Sequence, residues 1–366
     1  MDAQTPQDQN FATTETVKCP NCGALLKYDI ASGNLKCEHC AHTQPIAADV
    51  AVARRELNAD IMQKRESWAD TRVYKCQNCG AKAVIDPKKI NQTCVFCGSS
   101  NVVITNEIAG IKPDSIIPFQ ISPTQIEPIF KTWLKHRKFA PRMFKTEDIR
   151  ESVMQTYCPV WCFCANTNTA YNGTVGRHET YTKTTRGSDG KMYSHTETRT
   201  VWFNIAGTIY RQYTDFLIQS SDKISAQNFN KLKPFDLSLV KPYRAEFLMG
   251  LNAQHYTRDL ETCFNDFGAF VRGDVRREII HKHNADVVKF LDMKTAYTDK
   301  KFNYTLLPLF IAHYKYKKKV YNFFINGISG KLVGKSPLSL WKILFTSLFA
   351  GALVGILAFL GYHFLY

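Results

Sequence analysis

Twelve cysteines stand in the 366-residue chain, and eight of them fall into two quartets with identical spacing. Cys19, Cys22, Cys37 and Cys40 form the first; Cys76, Cys79, Cys94 and Cys97 form the second. Both read C-x2-C-x14-C-x2-C, and the second repeats the first after 57 residues. The flanks repeat as well, Lys18-Cys-Pro-Asn-Cys-Gly-Ala24 matching Lys75-Cys-Gln-Asn-Cys-Gly-Ala81. Two residues between cysteines let a tight turn aim both thiolates at one ion, and Gly23, Gly80 and Gly98 suit the positive φ of such a turn. Four thiolates in a tetrahedron favour Zn²⁺, with iron as the main substitute, so the expected cofactors are two structural zinc ions. Four protein ligands leave no open coordination position, and no metal catalysis is expected.

A ribbon of about 25 residues buries too little to fold without its ion, so metal binding is expected to drive its folding. The elements around the ribbons divide the chain as follows. Residues 1–17 are polar and expected to be disordered, 18–42 form the first ribbon and 74–99 the second. The linker 43–73 reads as helical: Val50, Ala53, Leu57, Ile61 and Trp68 follow a helical stripe over 47–70. Residues 100–335 are expected to form one α+β domain, and 336–366 a transmembrane tail anchor. The expected fold class is therefore multidomain, with two four-cysteine zinc ribbons, an α+β middle domain and one C-terminal transmembrane helix.

Within the middle domain the pattern predicts a helix near 123–138, a buried strand over 157–164 and a long β-hairpin over 168–218 turning at Arg186–Gly190. Leu260, Phe264, Phe267, Val271, Val275 and Ile279 step by three or four, the mark of a core-facing helix. Asn326-Gly327 is a hairpin signal between extended segments. Tyr157-Cys-Pro-Val-Trp161 loosely echoes Leu307-Pro-Leu-Phe310, a hint of a duplicated strand unit.

Residues 343–366 contain no Asp, Glu, Lys or Arg. At ~1.5 Å per residue they reach ~36 Å, enough to cross a ~30 Å hydrocarbon core. Lys331, Lys335 and Lys342 precede the span, which places the N-terminal bulk in the cytoplasm by the positive-inside rule. Ser347, Gly351 and Gly355 make a small-xxx-small ladder that permits close helix packing, and hence a homo-oligomer through the membrane.

Three further constellations could carry chemistry. Cys158, Cys162 and Cys164 alternate onto one strand face and read as buried free thiols. His178-Glu179 and His195-x-Glu197 could meet across the hairpin as a metal site, although an exposed polar ribbon is the simpler reading. Gly330-Lys-Leu-Val-Gly-Lys-Ser336 imitates a phosphate loop but has Ser329 where the motif needs its first glycine, and Pro337 follows at once. No ATPase site is expected, and no catalytic residue is assigned.

The formal charge of +15 falls to about +11 once eight thiolates hold two Zn²⁺, so the chain stays basic and suits anionic partners. Neither ribbon mixes dense Lys/Arg with aromatics, which disfavours nucleic acid. Metal-type cysteine spacing with no signal peptide fits a reducing compartment.

These features together resemble a bacterial family of tandem zinc-ribbon, C-terminally anchored membrane proteins. The resemblance rests on the paired ribbons, Ile117-Pro-Phe119, the Trp133 and Phe139 segment, Tyr157-Cys-Pro-Val-Trp161, Tyr171-Asn-Gly-Thr-Val-Gly176 and Tyr321–Gly330. Members are often labelled replication factor Y or superfamily II helicase-like; this sequence lacks the Walker A site and the room for two motor domains. The resemblance implies partners of the flotillin-like (SPFH-domain) or phage-shock-protein-A-like kind. It implies a single-pass recruiter at the bacterial inner membrane, acting in membrane stress or remodelling. The expected function is a non-enzymatic adaptor or scaffold. Its Lys315, Lys317, Lys318 and Lys319 and its juxtamembrane lysines would face the lipid bilayer. The alternative is a membrane-tethered nucleic-acid-binding ribbon protein.

Overall fold

A computed structural model describes residues 17–46, 52–58, 60–61, 66–67, 72–85, 93–100, 102–105, 109–141, 152–186, 188, 190–316 and 319–365. The disorder expected for residues 1–16, the linker residues Val50 and Trp68, and Lys317 and Lys318 lie outside the described residues.

The first ribbon is a three-stranded antiparallel sheet of β1 (Leu26–Asp29), β2 (Asn34–Cys37) and β3 (Thr43–Gln44). The linker carries β4 (Arg55–Glu56) and β5 (Glu66–Ser67). The second ribbon contributes β6 (Arg72–Cys76), β7 (Lys82–Ile85) and β8 (Val102–Thr105). Short strands β9 (Ala109–Gly110) and β10 (Ser115–Ile116) then lead to helix α1 (Ile126–Lys135). Two long strands follow, β11 (Met154–Arg186) and β12 (Met192–Gln219), and then helix α2 (Ala226–Leu232). The remaining elements are β13 (Lys241–Pro242), β14 (Asn252–Gln254), helix α3 (Leu260–Lys282), β15 (Val287–Tyr316), β16 (Lys319–Asn326), β17 (Leu332–Gly334) and helix α4 (Leu340–Leu365).

One twelve-stranded mixed sheet dominates. Its spine is β11 between β12 and β15, antiparallel on both sides. At ~3.3 Å per residue the 33 residues of β11 have a contour length of about 110 Å. Register shifts at Phe163/Ala165, Cys164/Asn166 and Thr174/Val175 are where such a ribbon bends. The predicted buried strand and hairpin are thus one continuous ribbon. Alternation drives it: Tyr171 and Val175 turn inward, while from Arg177 to Arg186 every residue is exposed. The two echoing segments lie side by side, Tyr157 opposite Pro308 and Pro159 opposite Leu306.

Helix α3 starts on the side chain of Asp259, which accepts from the Thr262 amide at 2.7 Å. Its buried stripe is Leu260, Cys263, Phe267, Val271, Val275 and Ile279, with Phe264 partly buried beside it. Phe267 stacks on Phe163 at 5.6 Å and Phe270 meets Phe216 in a tilted pair at 4.2 Å, fastening the helix to β11 and β12.

Two corrections follow. The helical linker is not what residues 52–58 form: Arg55–Glu56 pairs with Lys301–Phe302 of β15, and Leu57 is buried with its amide on the Lys300 carbonyl. An unpaired stretch of β15 edge satisfies this backbone better than an exposed helix would, so tertiary pairing overrides the helical spacing. The second ribbon is not a separate module either. β7 pairs with β14, and through β14 with β11, so ribbon and middle region share one sheet. The middle region is accordingly sheet-rich.

Candidate metal centres and an exposed apolar helix

Each cysteine pair sits on the same backbone turn, repeated four times. The amide of Gly23, Ala41, Gly80 or Gly98 donates to the carbonyl of Cys19, Cys37, Cys76 or Cys94, four residues earlier, at 2.8–3.0 Å. All four donors have positive φ, between 60° and 73°. Three are the glycines anticipated from spacing; Ala41 is the exception and carries the strain that a Cβ brings there. In turn the first cysteine of each pair donates its own amide five residues ahead, to Ala24, His42, Ala81 or Ser99.

These turns bring the sulfurs together. Cys19 Sγ lies 3.4 Å from Cys40 Sγ, and Cys22 Sγ 3.5 Å from Cys37 Sγ. In the second cluster the distances are 3.7 Å for Cys76–Cys97 and 3.5 Å for Cys79–Cys94. A tetrahedron with 2.3 Å metal–sulfur bonds has edges of about 3.8 Å, so the sulfurs stand close to ligand positions. Each group can hold one metal ion. Asn78 Nδ2 donates to Cys97 Sγ at 3.6 Å, the sort of outer contact that orients a thiolate.

The two clusters differ in how they are held. Ribbon 1 keeps its own sheet and leans on residues 245–250: the Tyr28 amide donates to the Met249 carbonyl, and the Tyr28 ring meets Phe247 edge-on at 5.4 Å. Cys22 and Cys40 remain exposed. Ribbon 2 is embedded. Besides the β7–β14 pairing, Lys223 Nζ donates to the Cys79 carbonyl at 2.8 Å. Gly98 sits so close to the His313 ring that a Cβ would stand 2.3 Å from Nε2.

Among the other candidates, Cys158, Cys162 and Cys164 share one face of β11 and are buried. Burial pushes the Cys158 thiol up to about 12 and raises Cys162 and Cys164, which also feel the Asp215 carboxylate. Thiols held protonated are poor nucleophiles. What spacing did not announce is their company. Cys162 Sγ and Cys164 Sγ donate to Asp215 Oδ1 at 3.5 and 3.8 Å. Asp215 has a φ of 53°, and both its carboxylate oxygens accept from Arg54 Nη2, at 2.7 and 2.8 Å. Arg54 arrives from 161 positions away, and no local pattern signals it. Arg54, Cys162 and Asp215 line a cleft of about 420 Å³ together with the hydrogen-bonded trio Ser115, Asn303 and Thr305.

The histidine pairs do not converge. His178 stands opposite Thr200 and His195 opposite Lys183, five positions apart along the hairpin, or about 17 Å. Glu197 instead accepts from Tyr181 OH at 2.5 Å and meets His195 Nε2 at 2.9 Å. Those hydrogen bonds hold its carboxyl down at about 2. The phosphate-loop imitation is also dissolved, since Leu332–Gly334 is strand β17.

Helix α4 holds a 22-residue segment, Leu340–Gly361, long and apolar enough to cross a membrane, and none of it is buried against the rest of the chain. A Cβ at Gly351 or Gly355 would meet nothing within 4 Å, so that side of the small-residue ladder is open. Of the three lysines expected to precede the span, Lys342 lies in the first turn of α4; Lys331 Nζ donates to the Lys233 carbonyl at 2.7 Å and Lys342 Nζ to the Ala140 carbonyl at 2.6 Å. Lys335 lines a cleft with Arg137 and Lys138.

Two tetracysteine centres on a sheet-rich body with one exposed apolar helix define the class of molecule. The chain is similar to "Uncharacterized protein YdjG" of Bacillus subtilis (strain 168), 26% identical over 342 residues, which span 89% of this chain and 91% of that protein. No family model and no solved structure matches the chain.

Proposed function

We propose that the chain is a membrane-anchored zinc-ribbon adaptor without catalytic activity of its own, which gathers soluble partner proteins at a membrane surface. The observation that carries the reading is α4, an apolar helix with no buried residue in its membrane-length segment, on the same body as two closed four-thiolate centres. An unburied apolar helix of this length costs free energy in water and is stabilised in lipid. Closed centres support binding and structure, not metal catalysis, and zinc is the ion that four cysteine ligands at this spacing favour. The raised thiols of β11 also support a non-catalytic chain. Flotillin-like or phage-shock-protein-A-like proteins are the partner class that the family resemblance implies, with membrane stress or remodelling as the setting and the bacterial inner membrane as the place.

The test is a mild-detergent pull-down of the tagged full chain from membranes, with co-purifying protein, nucleic acid and zinc all quantified beside the double variant Cys22→Ser/Cys79→Ser. Membrane-associated partners enriched by the parent and lost by the variant are the expected result. Recovery of the chain in the soluble fraction, or nucleic acid as the dominant co-purifying species, would overturn it.

A further inference from the structure

The three lysines around the start of α4, Lys331, Lys335 and Lys342, do not act alike. Lys342, in the first turn of α4, reaches back to the carbonyls of Ala140 and Lys138, at 2.6 and 3.4 Å. The Ser339 amide donates to the Phe139 carbonyl at 2.8 Å. These bonds strap the segment after α1 to the start of α4. They form a joint, and beside it lies an open cleft of about 520 Å³.

The lining of that cleft is one-signed. Arg137, Lys138 and Lys335 enter it, together with His136, and none of its lining among the described residues is acidic. The Arg137 guanidinium is not loose: its Cζ stands 4.7 Å over the Trp133 ring, a cation–π contact that orients it. Among the described residues no carboxylate forms an ion pair with any of the three cations. Toward α4 the lining turns apolar. Phe139 and Leu338 belong to the cleft and are 40% and 60% exposed, and Leu340 and Trp341 just beyond are exposed more fully.

We infer that this cleft binds the phosphate of an anionic phospholipid headgroup, with the acyl chains running along Phe139, Leu338 and α4. The inference rests on reading α4 as a membrane span. Three cations with no carboxylate partner among the described residues call for a compact anion, and the volume lies in the range of roughly 300–1,000 Å³ typical of small-molecule sites. The neighbouring apolar side chains call for a ligand whose other end is hydrocarbon. A free phosphate satisfies the first demand only. The strap supplies the third element, because it fixes the cleft beside the first turn of the span, at headgroup depth.

The test uses the full chain reconstituted into nanodiscs of phosphatidylcholine containing a minor fraction of phosphatidylglycerol, with retained lipids counted by native mass spectrometry. One phosphatidylglycerol retained per chain, well above its share of the bilayer, is the expected result. Near an anionic surface each cation is worth about 1 kcal/mol, or about fivefold. Arg137→Ala/Lys335→Ala should therefore lower retention about thirtyfold. Lys18→Ala/Lys75→Ala, which removes the same charge beside the two ribbons, should leave retention unchanged, and zinc content reports that each variant is folded. Equal retention of both lipids by the parent, or equal losses in the two double variants, would overturn the cleft as a site. Saturable binding of inorganic phosphate by the detergent-solubilised chain, with no lipid preference in nanodiscs, would assign the cleft to free phosphate and overturn the lipid. A chain that fails to enter phosphatidylcholine nanodiscs at all would overturn the span reading itself, a result distinct from entry without preference.

Discussion

Lys223 places its ammonium 2.8 Å from the carbonyl of Cys79, so a residue of the middle region holds the backbone of a metal-ligand turn 144 positions away. The Lys223 side chain is only 21% exposed, which keeps the contact largely out of competition with water. A hydrogen bond from a charged donor in such a place contributes about 1.5–3 kcal/mol. Lys223→Met should lower the thermal midpoint by a few degrees and speed metal release from the second cluster while leaving the first unchanged. Release followed with a chromogenic chelator, with and without Cys22→Ser, separates the two clusters; equal acceleration at both would refute the contact's local role.

The two centres should also differ in what their loss does to the body. Cys79→Ser and Cys22→Ser should each remove one metal ion per chain. Only Cys79→Ser should loosen the large sheet, because β7 is hydrogen-bonded to β14 and β1 is not. Amide exchange across β11 and β14 is the readout: faster exchange in Cys79→Ser alone is expected, and identical profiles in the two variants would count against it.

Ala41 occupies the turn position where the other three have glycine, at a φ of 60°. Replacing it with glycine relieves a left-handed conformation that disfavours Cβ, while adding freedom to the unfolded chain. The net expectation for Ala41→Gly is stabilisation of the first ribbon by about 0.5–1 kcal/mol, seen as slower chelator-driven metal loss. Destabilisation would mean that the methyl group makes contacts worth more than the strain.

Glu197 offers a pH test with a defined sign. Its carboxyl is lowered to about 2 by Tyr181 and His195. A depressed carboxylate contributes order to the hairpin tip at any pH above its unfolded value, and that contribution is lost as pH falls through about 2. A side-chain carboxyl titration by NMR should place Glu197 there, and Tyr181→Phe should move it upward. A midpoint near 4 in the parent would sink the arrangement.

The thiols of β11 should be silent toward alkylation. Cys158 is held at about 12 by burial, and Cys162 is raised as well. At pH 8 iodoacetamide should label neither until the chain is unfolded, as peptide mass spectrometry would report; prompt labelling of Cys162 in the metal-loaded chain would reopen the question of a reactive cysteine.

The cysteine turns, the α3 stripe and the apolar α4 were legible because each is written in local spacing, where two or four residues decide the geometry. The linker misled for the same reason. Val50, Ala53, Leu57 and Ile61 fit a helix, but the partner that straightens Arg55 and Glu56 is Lys301–Phe302, invisible to any local window. The Arg54–Asp215–Cys162 cluster was out of reach too, since its members come from a linker and two strands. For the histidine pairs, residue types alone were suggestive, and a register no sequence motif encodes set them apart.

β15 completes the sheet from both directions of the chain. It receives β4 and β10 from the N-terminal third and β11 from the middle, and β16 pairs with it on leaving. A chain made from its N-terminus on a ribosome therefore cannot close this architecture early. Strands that emerged long before, β11 and β10 among them, must wait with one edge open for a late partner, although β12 and β13 cover their other edges earlier. Such high sequence separation makes folding slow and leaves edges open to misassociation. The next helix to be synthesised after that closing partner is α4, which carries the membrane-length apolar segment, so the apolar helix is made only after the strand that completes the sheet.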